Sequence, residues 1–320
     1  MWAFIIRRLV ITFPQLVLLS ILIFVMAQMM PGDALTGVVD PGIDQETLEE
    51  QREKLGLNDP WYKQYIDWVG GLFQGDLGES YRYKIPVSEV IGQRIANTFW
   101  LSLATLVFTY VIAIPLGMLS GRYNNTPLDS VITSYTYLGF ATPLFIFALV
   151  MLWIFGFQFG WFPTSGTVAP GLDPGSPAYI LSRIYHLILP ALSMALIQTV
   201  STVQYLRNEI VETKQKDFVT TARAKGAPES SVYNKHILRN SLLPIGSFLG
   251  LEITTLIGGT VFVENIFGYP GMGQLFIESI TMRDYSVVTA VVLLFGIASI
   301  LGALLSDIIL SLIDPRVRIK

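Results

Sequence analysis

Asp217-Phe-Val-Thr-Thr-Ala-Arg-Ala-Lys-Gly226 lies at the centre of a basic segment, Arg207 to Pro244, in an otherwise apolar chain. Apolar runs long enough to cross a bilayer flank the segment on both sides. Within it, Asp217 is placed to cap a short helix, Gly226 to end that helix in a left-handed conformation, and Pro228 to begin another. Phe218, Ala222 and Lys225 fall on one helical face, and Ala222, Ala224 and Gly226 are small enough to admit a close partner surface. Arg207, Lys214, Lys216, Arg223, Lys225, Lys235 and Arg239 mark the segment as cytoplasmic. A solvated tether needs no such succession of cap, small residues, glycine and proline. The segment therefore reads as a docking element.

The flanking chain fits a membrane protein. Mean hydropathy is +0.54, with 52% hydrophobic and 14% charged residues over 320 positions, beyond what a soluble domain carries. The net charge of -3 says little, because the signs are segregated along the chain. The basic residues flank spans and do not build an aromatic-interleaved surface, which argues against nucleic-acid binding. Without cysteine there is no disulfide, thiolate metal site or cysteine nucleophile.

Arg7 and Arg8 precede the apolar run Leu9 to Met30, whose 22 residues cover roughly 33 Å as a helix. The run is too long for a secretory-signal core and lacks a small-residue cleavage site, so residues 1–30 predict a first transmembrane helix. Pro31-Gly-Asp33 stops it, and residues 31–96 turn polar and acidic, predicting an extracytoplasmic insertion. Two short helices are expected there, one from Asp44 to Leu55 closed by Gly56 and one beginning at Pro60. Trp61, Tyr65, Trp68 and Leu72 give the second an aromatic stripe, suited to packing on neighbours or lying at headgroup level. Further spans are predicted at 97–120, 131–159, 186–206, 244–263 and 287–313. Together these make a five-helix core, 97–313, with a cytoplasmic loop at 207–243 and a tail at 314–320.

Pro115, Pro143, Pro190 and Pro244 interrupt or open these spans, and Gly117-Met-Leu-Ser-Gly121 and Gly246-Ser-Phe-Leu-Gly250 offer helix-contact spacing. Six spans put both termini in the cytoplasm. Arg7, Arg8, Arg122, the central loop, Arg316, Arg318 and Lys320 then fall inside, against Arg183 and Arg283 in the short outer loops.

Little in the chain can do covalent chemistry. His186 and His236 are the two histidines and fall in different predicted compartments, so no metal or catalytic site is expected. No lysine follows a glycine, so the phosphate-binding Gly-Lys-Ser/Thr pattern is missing and any ATP would be hydrolysed by a partner. Glu252 and Asp307 are the ionisable residues expected within spans. Asp307 reaches the inner surface or caps local structure. For Glu252 two readings stay open: contact with a cationic group in a translocation path, or a hydrogen-bonded glutamate between helices. Such scarcity of charge favours an externally powered pore. An ion-coupled secondary transporter working alone is the alternative, and an intramembrane hydrolase lacks a nucleophile–base pair.

Short motifs recur in order along the chain: Arg7-Arg8-Leu, Pro31-Gly-Asp33, Leu55-Gly-Leu-Asn-Asp-Pro-Trp61, Gln64-Tyr65 and Gly75-Asp-Leu-Gly-Glu-Ser80. Beyond them come Thr221-Ala-Arg-Ala-Lys-Gly226, His236-Ile-Leu-Arg-Asn-Ser-Leu-Leu-Pro244, Val263-Glu-Asn-Ile-Phe267, Tyr269-Pro-Gly-Met-Gly273, Arg283-Asp-Tyr285 and Asp314-Pro-Arg-Val-Arg318. As an ordered set they make the chain resemble the B-type permease subunits of the oligopeptide/dipeptide/nickel group of binding-protein-dependent ABC importers. The resemblance implies an all-α polytopic membrane protein with the type I (MetI-like) importer permease fold, in a bacterial or archaeal plasma membrane. It implies no enzyme activity in this chain, with ATP and Mg held by partner ATPases.

The family's cytoplasmic "EAA" loop docks on the ATPase. Here Thr220, Thr221 and Ala222 take the Glu-Ala-Ala positions and Gly226 the glycine, so the family glutamate is replaced; Leu243-Pro244 lies further on than in sugar permeases. The implied ATPase-coupling residues are Asp217, Thr220, Thr221, Ala222, Arg223, Ala224, Lys225, Gly226 and Ala227. Implied partners are a C-type homologous permease, two ATPase subunits, an extracytoplasmic solute-binding protein and the lipid bilayer. Docking of the binding protein is expected at Tyr269, Gly271, Arg283 and Asp284. The expected cargo is a peptide, within a family range from dipeptides and oligopeptides to nickel chelates and some glycosides.

Overall fold

The computed structural model describes residues 2–29, 49, 50, 53, 58–242, 245 and 260–313. Among these the regular structure is helical, apart from one isolated bridge between Glu79 and Pro86. Helices follow from the apolar composition: a chain in hydrocarbon must satisfy its backbone donors and acceptors internally. In order they are α1 (Trp2–Met29), α2 (Trp61–Phe73), α3 (Val87–Arg122), α4 (Pro127–Ala141) and α5 (Leu144–Met151, running on as a π-helical stretch, Leu152–Gln158). After them come α6 (Pro177–Thr213), α7 (Asp217–Ala224), α8 (three helical pieces, Glu229–Ser231, Val232–Leu238 and Arg239–Leu242), α9 (Met272–Thr281) and α10 (Tyr285–Ile313).

Four of these, α1, α3, α6 and α10, are long and apolar enough to cross a membrane. Among the described residues a fifth crossing comes as a bent pair, α4 and α5, which meet at 109°. The continuous span predicted at 131–159 is therefore broken. Pro143 has no N–H to donate and pushes Thr142 into extended backbone at φ -101, ψ 116, so α4 ends there. The span predicted at 244–263 lies largely outside the described residues, as do Glu252, Gly246 to Gly250, the tail and most of the helix expected at 44–55. Helices α3 and α6 both begin about ten residues before the spans predicted at 97 and 186.

α3 and α6 form the central pair and run parallel. Asn97 meets Arg183, Thr105 meets Met194, Gly117 meets Leu206 and Gly121 meets Ile210, in the same order on both helices. The glycine pair permits the approach. A Cβ at Gly117 would stand 2.9 Å from the Leu206 Cβ, and one at Gly121 would stand 2.7 Å from that of Ile210. Two parallel helices require an intervening return, and α4 supplies its first part. It runs antiparallel along α6, through Asp129 on Arg207, Tyr135 on Thr199 and the Leu196 carbonyl, and Gly139 against Val200.

α1 packs antiparallel on α10. Gly296 receives Leu19, and Arg8 reaches Asp307 at 3.0 Å. Asp307 thus pairs across two helices, where the sequence predicted a surface-seeking or capping residue. The start of α10 (Val287, Ala290, Val291) shares a core with the start of α3 (Val87, Val90, Ile91) and with Met272 and Leu275 of α9. A second core joins α3, α5 and α6 to Val263, Phe267 and Tyr269. A third lies at the opposite end, under α7 and α8.

Candidate functional site

The end of the bundle under α7 is built from Leu206 and Ile210 of α6, Val219 and Ala222 of α7, and Val232, Tyr233 and Ile237 of α8. Val219 and Ala222 are the inward residues of α7. Burying them holds a two-turn helix that would not persist alone. Asp217 does not cap it. The helix begins at Asp217 itself, Lys216 occupies the cap position without a side-chain bond, and Asp217 contributes only negative charge at the N-terminal end.

The C-terminal end is as predicted. Gly226 sits at φ +78 and its N–H donates to the Arg223 carbonyl, while the Ala227 N–H donates to the Ala222 carbonyl at 3.2 Å. This double closure needs a left-handed residue at its corner, which glycine supplies at least cost.

Asp217, Phe218, Thr220, Thr221, Arg223, Ala224, Lys225 and Gly226 are exposed on the outer side of α7, with Ala227 half-buried. Ala222 departs from the predicted docking face, because its methyl points into the chain's own core. Phe218, Thr221, Ala222, Lys225, Ala227 and His236 line a shallow hollow of about 350 Å³ beside the helix. Arg223 makes a two-pronged bond to Glu229, Nε to Oε2 at 3.1 Å and Nη2 to Oε1 at 2.6 Å. The guanidinium holds the Glu229 carboxyl below its usual range, and the carboxylate raises Arg223 in turn. Both groups are solvated, so the pair fixes the geometry of the α7–α8 turn and adds little stability.

Three anchors tie this surface to the bundle. Lys214, one residue past α6, donates from Nζ to the Gly121 and Arg122 carbonyls (2.9 and 3.0 Å) and to Asn124 Oδ1 at 2.6 Å. It thereby caps the C-terminus of α3 with a cation, and burial lowers its pKa. Tyr233 of α8 donates its hydroxyl to the Met118 carbonyl at 2.9 Å, and the Arg122 guanidinium lies 4.9 Å from its ring centroid. Burial pushes the Tyr233 hydroxyl up to about 12.

The third anchor is Arg207 of α6, which grips Asp129 of α4 with Nε on Oδ1 and Nη2 on Oδ2, both at 2.7 Å. The same buried carboxylate accepts from Ser120 Oγ of α3 and from the Asn125 N–H in the α3–α4 turn. Sequence reasoning counted Arg207 as a charge and passed over Asp129. Its signal was the Thr126-Pro-Leu-Asp129 start of α4, in which Thr126 Oγ1 accepts from the Asp129 N–H.

At the other end of the bundle the expected docking residues are mostly interior. Tyr269, Gly271 and Asp284 are buried within the chain, and Arg283, at φ 58, is exposed. Asp284 accepts from Ser80 Oγ and from the Tyr81 and Arg82 N–H groups, which ties residues 80–82 to the start of α10.

Gly271 and Gly273 border the carboxylate of Glu264, a fully buried acid to which the sequence alone assigned no role. Glu264 accepts from Thr98 Oγ1 at 2.6 Å and from the Gly273 and Gln274 N–H groups at 2.6 and 3.0 Å. Thr98 Oγ1 in turn accepts from the Met272 N–H at 2.7 Å. The first three N–H groups of α9 are thus capped by side chains from outside that helix. A Cβ at either glycine would strike the Glu264 carboxylate, so the Tyr269-Pro-Gly-Met-Gly273 motif is the cradle of this cap. No cluster of metal-ligating side chains occurs among the described residues.

Comparison with known proteins places both ends in one family. The model for "binding-protein-dependent transport system inner membrane component" matches residues 113–319, and the model for the N-terminal part of such membrane components matches residues 1–104. The oligopeptide transport system permease AppB of Bacillus subtilis is 40% identical over 318 residues, covering 99% of each chain. A putative peptide permease of Brucella suis is 36% identical with 98% of each chain covered, and the Escherichia coli glutathione transport system permease GsiC is 32% identical with 99% covered. Among solved structures, the inward-facing MetNI methionine ABC transporter matches with a TM-score of 0.56 at 17% identity, over 70% of this chain and 96% of that one. The fold is therefore that of ABC importer permeases. The chain belongs to the binding-protein-dependent transport system inner membrane component family, and it is a multi-pass permease subunit of an ATP-driven importer, in which a separate subunit hydrolyses ATP.

Proposed function

We propose that the chain forms half of the translocation pathway of a peptide importer, with α7 as the knob that seats in its ATPase. The pathway's other half would be a C-type homologous permease, and two ATPase subunits and an extracytoplasmic solute-binding protein complete the assembly. Peptide as cargo is supported by the names of the relatives in Bacillus and Brucella; GsiC, which carries glutathione in name, is itself consistent with a small peptide. In this reading the chain crosses the membrane six times. α7 and both termini face the cytoplasm, and the insertion at 31–96 lies on the outer side.

The observation that carries the proposal is the anchoring of α7. An exposed short helix is joined to α3, α4 and α6 through Lys214, Tyr233 and the Arg207–Asp129 pair, so it cannot move without moving them. Asp217, Phe218, Thr220, Thr221, Arg223, Ala224, Lys225, Gly226 and Ala227 would meet the ATPase, while Ala222 holds the helix in place from beneath. Two arrangements of the bundle with different affinity for the ATP-bound and ATP-free partner then give alternating access.

The test is reconstitution. Liposomes carrying the chain, its co-expressed permease and ATPases should import labelled peptide only with ATP inside and binding protein outside. Uptake by this chain alone, driven by a proton gradient, would replace this reading with that of a secondary transporter.

A further inference from the structure

We infer that α2 lies within the membrane interface and presents Tyr62, Ile66 and Phe73 to phospholipid acyl chains. This region of the chain, 31–96, is otherwise polar and acidic in sequence. The helix crosses α1 at Phe24. The Phe24 ring lies 5.3 Å from that of Tyr65 and 5.9 Å from that of Trp68, and Tyr65 Oη pairs with Ser20 Oγ at 2.8 Å. Gln64 accepts from Gln28 at 2.7 Å on the other side of the crossing. The apolar span of α1 ends at Met29, five residues beyond Phe24, which is about 7.5 Å along the helix axis. A helix crossing at that level sits at the depth at which interfacial amphipathic helices lie, roughly 5–10 Å into the headgroup–acyl boundary.

The side chains are distributed to match. At 100° per residue, Trp68, Trp61, Leu72, Tyr65, Val69, Tyr62, Phe73 and Ile66 form one continuous apolar arc, and Lys63, Asp67 and Gln64 occupy the opposite side. α1 covers only the Tyr65–Trp68 edge of that arc. Val69 and Leu72 are half-buried, and Tyr62, Ile66 and Phe73 are exposed at 55, 64 and 88%. α1 keeps further apolar residues exposed at the level of the crossing (Leu22, Val25, Met26). Lys63 instead pairs with Asp59 at 2.9 Å on the polar side. Acyl chains suit an exposed apolar face that is level with the end of a membrane span; an aqueous binding protein does not.

Lipid contact rests on the α1 crossing alone. The leaflet, outer in the topology proposed above, rests on that topology. The chain has no cysteine, so single-cysteine variants need no background substitutions. Tyr62→Cys, Ile66→Cys, Phe73→Cys, Lys63→Cys and Asp67→Cys would carry a nitroxide in the assembled transporter, in 3:1 phosphatidylethanolamine–phosphatidylglycerol liposomes. Collision with oxygen should exceed collision with a water-soluble nickel chelate at least threefold at 62, 66 and 73, with the ratio reversed at 63 and 67. Chelate-accessible labels at 66 and 73 would overturn the inference in favour of an aqueous face, and labels closed to both quenchers would overturn it in favour of a protein partner. Separately, a membrane-impermeant thiol reagent added outside intact cells should label Lys63→Cys. Labelling only after permeabilisation would overturn the proposed topology and its leaflet, whatever the quenching result.

Discussion

Glu264 shows how much one buried acid can organise. Its carboxylate and the Thr98 hydroxyl satisfy the first three N–H groups of α9, and glycines at 271 and 273 clear the space. Glu264→Ala would leave buried donors without acceptors, at about 1–3 kcal/mol. The expected result is a melting temperature several degrees lower for the purified transporter, with α9 detached from α3. Gly273→Ala should cost at least as much, because its Cβ also meets the Val261 backbone, which cannot swing aside.

Gly226 presents the opposite case. Nothing lies within 4 Å of a Cβ there, so within this chain the penalty of substitution is conformational. Gly226→Asn, which tolerates the left-handed region, should keep near-normal uptake. Gly226→Trp should abolish uptake while the chain still inserts, because its bulk meets only a docked partner. Equal uptake by both variants in a transport assay would remove Gly226 from the interface. The positive φ at Gly226 was legible in the sequence, since a glycine closes the short helix there. The role of Glu264 was not, because its partners lie 166 residues away on α3 and across the Gly-Met-Gly turn.

At the scale of elements, the α3–α6 contact and the break between α4 and α5 define what can move. Gly117 and Gly121 were readable as contact residues. Their partner was not, because glycine spacing does not say which helix approaches. Gly121→Leu should prevent that approach and cost roughly 1–3 kcal/mol or more through overpacking, read as loss of folded protein on size-exclusion chromatography. Pro143 marked the interruption of the third run, but hydropathy continues across it, so periodicity alone gave one span where the chain turns by 109°.

The Asp129–Arg207 pair binds α4 to the helix that leads into α7, and removing one partner leaves a charge buried without the other. Asp129→Asn should lower peptide imported per ATP hydrolysed by tenfold or more, while the ATPase remains bound. The exchange Asp129→Arg with Arg207→Asp should recover part of that ratio. An unchanged ratio in Asp129→Asn would show that the pair carries no motion.

For the whole molecule, the sequence made the class plain, because hydropathy and segregated charge require a polytopic membrane protein and the ordered motifs resemble those of a permease. The structure adds which helices pair. α3 packs on the parallel α6 and α1 on the antiparallel α10, and the Arg8–Asp307 pair puts the first helix's start beside the last helix's end. The pairing could not be read from spans alone, since it depends on contacts such as Asn97–Arg183 between residues far apart in sequence. The buried positions of Tyr269, Gly271 and Asp284 were hidden for the same reason: motif residues on a loop look exposed until the loop is packed.

The proposed place where the ATPase engages the bundle is α7. The most direct measurement is photocrosslinking from a benzophenone attached at Thr221→Cys, with Arg283→Cys as the reference, in membranes containing the whole transporter. The account predicts an adduct with the ATPase subunit from position 221 and none from position 283. An ATPase adduct from position 283, or none from position 221 in a transporter that still imports peptide, would contradict it.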